Sequence, residues 1–302
     1  MEPDAVRGHA VMSDLPVPLL NDPKRDATPT LRGFSYQILR TIEAWLDLAA
    51  DEILLIEGAE DLDRVGPAGA VVEQVKDTAG SGGVTLRTKG ALEAIANLIA
   101  HQDRNPGVRI DFRFLTTSPV SREASDPMGF GMPGIEAWAS VRRDPTSAES
   151  LRTAEAIRSF LAGLAALEAK AKAWIAGATA AQFIERCVKP MEWITGQGDI
   201  EALTNRLEAR LIELGETLGL SAQDSLKALD ALHRRAWCVA TDRDRQPLRR
   251  GDLLRIVDEA GRTSLPTADL ARLLALLAPG VTPTDVAITP DSAVEGAPSR
   301  SP

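Results

Sequence analysis

The stretch DEILLIEGAEDLDRVGPAGAVVEQVKD, residues 51–77, decides how the rest of the chain is read. Ile53 to Ile56 is a short apolar run bounded by charge and by Gly58, the pattern of a buried strand. Gly66, Pro67 and Gly69 mark a turn, and AVVEQVK (70–76) reads as a second strand. The two could form a hairpin. Side chains alternate along a strand, so Gln74 and Lys76 project to one side with Val72, while Glu73 shares the other with Val71 and Val75. A hairpin would bring Glu57, Glu60, Asp61 and Asp63 beside Gln74 and Lys76.

Upstream, Leu31, Phe34, Ile38, Ile42, Trp45, Leu46 and Ala49 recur at spacings of three and four, one face of a helix. Downstream, the Gly/Ser loop AGSGG precedes a helix with Leu92, Ile95, Leu98 and Ile99 on one face. The segment RIDFRFLTTS (109–118) alternates as a third strand, with Ile110, Phe112 and Phe114 on one side. Helix, strand, strand, helix, strand make a compact α/β unit over 29–120. Residues 121–149, rich in Gly, Pro and Met, read as a loop or linker. Helical periodicity then runs through 150–279, and no clear strand is expected after about residue 120. Residues 1–28 read as a flexible leader and 280–302 as a disordered tail. The fold class expected is α/β: an α/β module followed by an all-α helical domain.

Composition removes several function classes. The chain has 302 residues, 44% hydrophobic and 25% charged, ordinary for a globular protein with a real core. The net charge of −9 gives no global attraction to nucleic acid or anionic membrane. Acids also outnumber bases between Leu31 and Ser118, so nucleic-acid binding needs a local basic surface or a bound cation. Arg87, Lys89, Arg109 and Arg113 could supply one. Arg234, Arg235, Arg243, Arg245, Arg249 and Arg250 are either a phosphate-contacting patch or a solvated connector. Two cysteines and three scattered histidines exclude a disulfide framework, a zinc finger and a His-rich metal site. Cys187 and Cys238 read as inert core thiols, His101 and His233 as surface or capping residues, and Trp174, Trp193 and Trp237 as packing between helices. No Walker A motif occurs, so the chain is not read as an NTPase. Nor does any apolar run approach the roughly 18 residues of a membrane span. The start of the chain lacks the apolar core of a signal peptide, and a cytoplasmic location is expected.

The set Glu57, Asp61, Gln74 and Lys76 makes chemical sense as a hydrolytic site. A hard cation such as Mg²⁺ takes one or two carboxylates and completes its shell with water. A glutamine carbonyl can serve as a neutral oxygen ligand, and a nearby lysine can stabilise charge developing on phosphate. The same residues also fit a solvated strand edge, where Gln and Lys at i and i+2 are commonplace.

The strings RGFSYQILRTIEAWLDLAADEILLIEGAEDLDRV, AVVEQVKD, VTLRTKGALEAIANLI and RIDFRFLTTS, between about Leu31 and Ser118, resemble the dsDNA-endonuclease domain of bacterial antiphage effectors of CBASS and STAND type. That domain belongs to the PD-(D/E)xK, restriction-endonuclease-like superfamily. The segment FIERCVKPMEWITGQGDIEALTNRLEARL is more weakly similar to sequence that follows the nuclease in such proteins. The resemblance implies a restriction-endonuclease-like N-terminal module with Asp61 as the metal-binding acid. Gln74 stands in the place of the second acid and Lys76 is the catalytic lysine. Glu57 would support the metal, and Gln37 would reach the same site from the opening helix. The implied metal ligands are thus Asp61, Gln74 and Glu57, the cofactor is Mg²⁺ (or Mn²⁺), and the substrate is double-stranded DNA. Control through a homo-oligomer or a partner sensor protein would fall to the helical part, with no membrane involved. The missing acid at Gln74 keeps a different class open: a catalytically inactive protein-interaction module of a multi-component defence system.

Overall fold

The computed structural model describes residues 26–78, 81–244 and 246–261. The expected tail, the helix read in TADLARLLALLA, Arg245 and all but the last residues of the expected leader lie outside them.

Helix α1 (Thr28–Leu46) starts with Pro29 in its first turn, where a missing N–H costs nothing. Strands β1 (Ile53–Ile56), β2 (Leu62–Gly66) and β3 (Gly69–Lys76) follow. Helix α2 (Lys89–Arg104) and strand β4 (Ile110–Thr116) complete the expected α/β unit. The later chain adds α3 (Gly134–Arg143), α4 (Ala148–Gly163), α5 (Ala169–Gly177), α6 (Ala180–Phe183) running into a π-helical turn at Ile184–Val188, and strand β5 (Met191–Ile194). Helices α7 (Ile200–Thr217) and α8 (Ala222–Thr241), the two-residue strand β6 (Leu248–Arg249) and α9 (Arg250–Gly261) close the described chain.

The α/β class and the helical later region stand, with three corrections. First, β3 does not pair with β1. Residues Leu62–Gly66 form a strand between them, giving an antiparallel β1–β2–β3 meander. Gly69 makes the β2–β3 turn at φ +128°, a conformation open to glycine. Second, strands do follow residue 120. The sheet order is β5-β4-β3-β2-β1-β6, so both sheet edges come from the later chain. Strand β5 lies parallel to β4, which is parallel to β3, and β6 is antiparallel to β1. Third, the stretch read as a loop holds α3, whose Trp138 is fully buried.

The alternation of the strands splits the core between the two sheet faces. Val72, Phe112 and Phe114 point to one side, against α2 and the α3–α6 group, with Trp138 and Phe183 beneath them. Ile56, Leu62, Val75 and Leu115 point to the other, against α1, α7, α8 and α9. Ion pairs tie the second face together. The buried Glu73 carboxylate accepts from Arg40 Nη2 at 2.9 Å, Arg40 also pairs with Glu43, and Arg206 Nε reaches Glu43 at 2.9 Å. Buried charges persist only when partnered in this way.

Candidate active site

Strand register lines the site residues up. Leu62 stands opposite Glu73, and Ile56 opposite Leu62. One step further along the same ladders, Glu57 N–H donates to Asp61 O at 3.0 Å, and Asp61 comes across from Gln74. Gln74 is in turn abreast of Phe114 on β4. Glu57, Asp61 and Gln74 therefore form one row at the carboxyl ends of β1 and β3 and the start of β2. Lys76 stands two residues further on, on the Gln74 side of the sheet.

Each member of the row is held locally. Glu57 takes a left-handed backbone at φ +53°, uncommon for a residue with a Cβ. In this geometry its Oε1 accepts from Gln37 Nε2 at 2.6 Å, so the opening helix does reach the site. Asp61 Oδ2 accepts from the backbone N–H of Val75 at 2.6 Å. Burial raises the Asp61 carboxyl to about 6; the Val75 N–H and the Lys76 ammonium oppose the rise, and the Glu57 and Glu60 carboxylates add to it. Gln74 is 6% exposed, and its Oε1 is buried with no hydrogen-bond partner. Such an atom is uncommon, since a buried acceptor left unmade costs about 1–3 kcal/mol. Lys76 is half-buried and forms no ion pair among the described residues.

Asp61, Lys76 and Gln37 line a cleft of about 540 Å³ at the carboxyl ends of β3 and β4. This is the usual position of a ligand site in an α/β sheet. One wall is the start of α1, with Gly33 and Phe34, and the other is the start of α2, with Lys89 and Gly90. On the floor a hydroxyl network joins the two strand ends. Thr117 Oγ1 donates to Asp77 Oδ1 at 3.0 Å, and the Thr78 and Ser118 hydroxyls lie 2.6 Å apart. Arg32 Nε holds the other Asp77 oxygen at 2.7 Å. Arg87 and Lys89 are exposed beside the α2 wall, and the Lys89 side chain is 90% exposed.

The neighbouring acids have other tasks. Asp63 accepts from Ala59 N–H and from Glu60 N–H (3.2 Å), which shapes the β1–β2 turn. Glu73 faces away, onto Arg40, as the alternation predicts. Glu60 binds a residue that sequence reading gave a surface or capping role: His101 is 3% exposed, and its Nε2 lies 2.8 Å from Glu60 Oε1. Arg104 can only donate, at 2.9 Å to His101 Nδ1, so Nε2 carries the proton and donates to Glu60. No spacing rule links His101 to Glu60, 41 residues away. The sheet brings them together, and His101 pins the turn that presents Asp61. His101→Ala leaves the Glu60 carboxylate buried and unpaired and is expected to cost about 2 kcal/mol. A lower urea midpoint, largely restored in His101→Gln, checks this; an unchanged midpoint in His101→Ala contradicts it.

Two further readings are corrected. Cys238 is exposed, whereas Cys187 is buried and burial pushes its thiol far up. Trp237 packs between helices on one side alone: its ring meets Phe34 of α1 in a T-shaped contact, ring centroids 4.9 Å apart at 90°, and the residue is 43% exposed.

Oxygen chemistry tests the fit of a metal. Among the described residues no cluster of three or more His, Cys, Asp or Glu side chains is arranged to hold an ion. The row offers two carboxylates and one amide oxygen. Its unpartnered buried Gln74 Oε1, and the mutual repulsion felt by Asp61, suit a hard divalent cation with water completing the shell. Among the described residues no helix is long and apolar enough to cross a membrane.

No family model and no curated protein matches the chain. Among solved structures the chain is similar to the Moraxella osloensis Cap4 SAVED/CARF-domain containing receptor, at 12% identity and a TM-score of 0.47, covering 76% of this chain and 47% of that one. It is also similar to the Acinetobacter baumannii Cap4 SAVED/CARF-domain containing receptor with the cyclic trinucleotide 2'3'3'-cAAA, at 13% identity and a TM-score of 0.46, covering 75% and 44%. The chain spans less than half the length of these receptors.

Proposed function

We propose that the chain is a Mg²⁺-dependent endonuclease that cleaves phosphodiester bonds of double-stranded DNA, acting in bacterial antiphage defence. The observation that carries this reading is the row Glu57–Asp61–Gln74, with its unsatisfied amide oxygen, whose Asp61 lines a cleft together with Lys76, a lysine without an ion pair among the described residues. The sequence resemblance over Leu31–Ser118 supplies the substrate class and the defence setting.

Asp61, Glu57 and the Gln74 carbonyl would hold the cation, and Gln37 fixes the Glu57 carboxylate through its amide. When bound, a divalent ion neutralises phosphate charge and lowers the pKa of a water molecule. The chain's own groups do the rest. Lys76 places a positive charge where the phosphate oxygens gain negative charge during attack. The Val75 N–H keeps Asp61 in one orientation. Lys89 and Arg87, beside the cleft, offset the acidic character of the module for an incoming polyanion.

The test is supercoiled plasmid incubated with the protein in Mg²⁺, in Mn²⁺ and in EDTA, beside a structured RNA. Nicked and linear DNA in either metal, none in EDTA, and intact RNA are expected. A plasmid left intact in both metals overturns the reading in favour of a non-catalytic interaction module. Cleaved RNA with intact DNA overturns the substrate assignment.

A further inference from the structure

We propose that the exposed face of α8 bearing Arg234 and Trp237 holds the DNA duplex flanking the cleaved phosphodiester. This rests on the endonuclease reading and extends its substrate contact beyond the cleft.

Trp237 is 43% exposed, although a chain with only 4% aromatic residues has few to spare for its surface. Its ring packs against Phe34, and Phe34 lines the cleft that contains Asp61 and Lys76. An apolar path therefore leads from the site, over Phe34, onto α8. Leu31, 63% exposed and one helical turn before Phe34, lies at the same end of α1. Spacings of three and four put Arg234, Trp237 and Cys238 on one stripe of α8, and all three are exposed. Arg234 and the adjacent Arg235 are exposed and form no ion pair among the described residues.

Charge complementarity selects the occupant. Other arginines of the helical region sit on carboxylates, as Arg210 does on Asp47 and Arg255 on Asp252 and Glu259. Arg234, one turn from the exposed Trp237 ring, makes no ion pair among the described residues. Nucleic-acid backbones present that alternation, with phosphates for guanidinium groups and the apolar faces of sugars between them. A duplex entering between the α1 and α2 walls would meet Lys89 and Arg87 on one side and Arg234 and Trp237 on the other. The local cations resolve how a chain of net charge −9 could hold DNA at all.

Fluorescence anisotropy of a labelled 30-base-pair duplex, with Ca²⁺ in place of Mg²⁺ to hold cleavage back, tests the proposal on the full chain. Trp237→Ala is expected to weaken binding about tenfold. Trp237→Phe should recover much of it. Arg234→Ala should weaken binding and reduce the slope of log affinity against log salt by about one. Thermal melting of each variant separates binding from misfolding. Wild-type affinity and salt slope in both alanine variants overturn the proposal. So does a Trp237→Ala variant that changes only the sedimentation profile, which assigns the face to a second copy of the chain. If Lys76→Ala cleaves like wild type while Trp237→Ala loses binding, the catalytic assignment fails and the surface assignment stands.

Discussion

Lys76→Ala is expected to leave supercoiled plasmid intact over a time in which the wild-type protein converts it fully, a loss of about 10²–10³-fold in rate. The size follows from where the side chain stands. Lys76 is the last residue of β3, two positions beyond Gln74, and alternation puts both on one side of the sheet. It lines the cleft and lies near enough to Asp61 to favour its ionised form. Its ammonium group is committed to no ion pair among the described residues, so its charge is available to a substrate. A half-buried aliphatic stem contributes little to the core. The variant should therefore melt within a few degrees of wild type, and lost cleavage would report chemistry rather than unfolding. Equal cleavage by the two proteins ends the catalytic role of Lys76.

The second large effect concerns Asp61 and has two readouts of opposite direction. Asp61→Asn should abolish cleavage, because a neutral amide holds a divalent cation far less well than a carboxylate. In EDTA the same variant should be more stable than wild type at pH 8. The sign follows from the folded carboxyl, raised to about 6 from its usual 3.8. Between those values the folded state keeps a proton that the unfolded state has lost. The contribution of Asp61 is therefore most favourable below pH 4 and is lost as pH rises through 6. Asparagine does not titrate and can still accept from the Val75 N–H. The variant should gain on the order of 2 kcal/mol over wild type between pH 5 and pH 8. Added Mg²⁺ should then stabilise the wild type and leave Asp61→Asn unmoved. Parallel stability curves for the two proteins across this pH range would contradict the burial of a strained carboxylate.

Much of this site could be read from the sequence because it depends on two short periodicities. Alternation placed Gln74 and Lys76 together and sent Glu73 away, and the structure keeps both, with Glu73 on Arg40. The helical spacing of Phe34, Ile38 and Ile42 located α1, which carries Gln37 to Glu57. What escaped was non-local or too short to have a period. Strand β2 is LDRVG, with three charged or glycine positions in five, and owes its extended form to the strands on either side. Strand β5 has four residues and follows Pro190, and β6 has two. No window that short separates strand from loop. His101 looked like an ordinary surface residue near a helix end. Its burial follows from the stacking of α2 over Phe112, ring centroids 6.3 Å apart, and from a carboxylate on a distant turn.

The two outermost strands of the sheet have a consequence for how the molecule is made. Strands β4 and β1 receive their outer neighbours from residues 191–194 and 248–249. Trp45 likewise waits for the Arg249 carbonyl, to which its indole N–H donates at 2.8 Å. Until those residues are translated, the four strands β1 to β4 have unpaired backbone on both flanks, the kind of surface through which separate chains join. A gene truncated after β4 would therefore encode all the proposed hydrolytic residues and still yield a sticky, unfinished product.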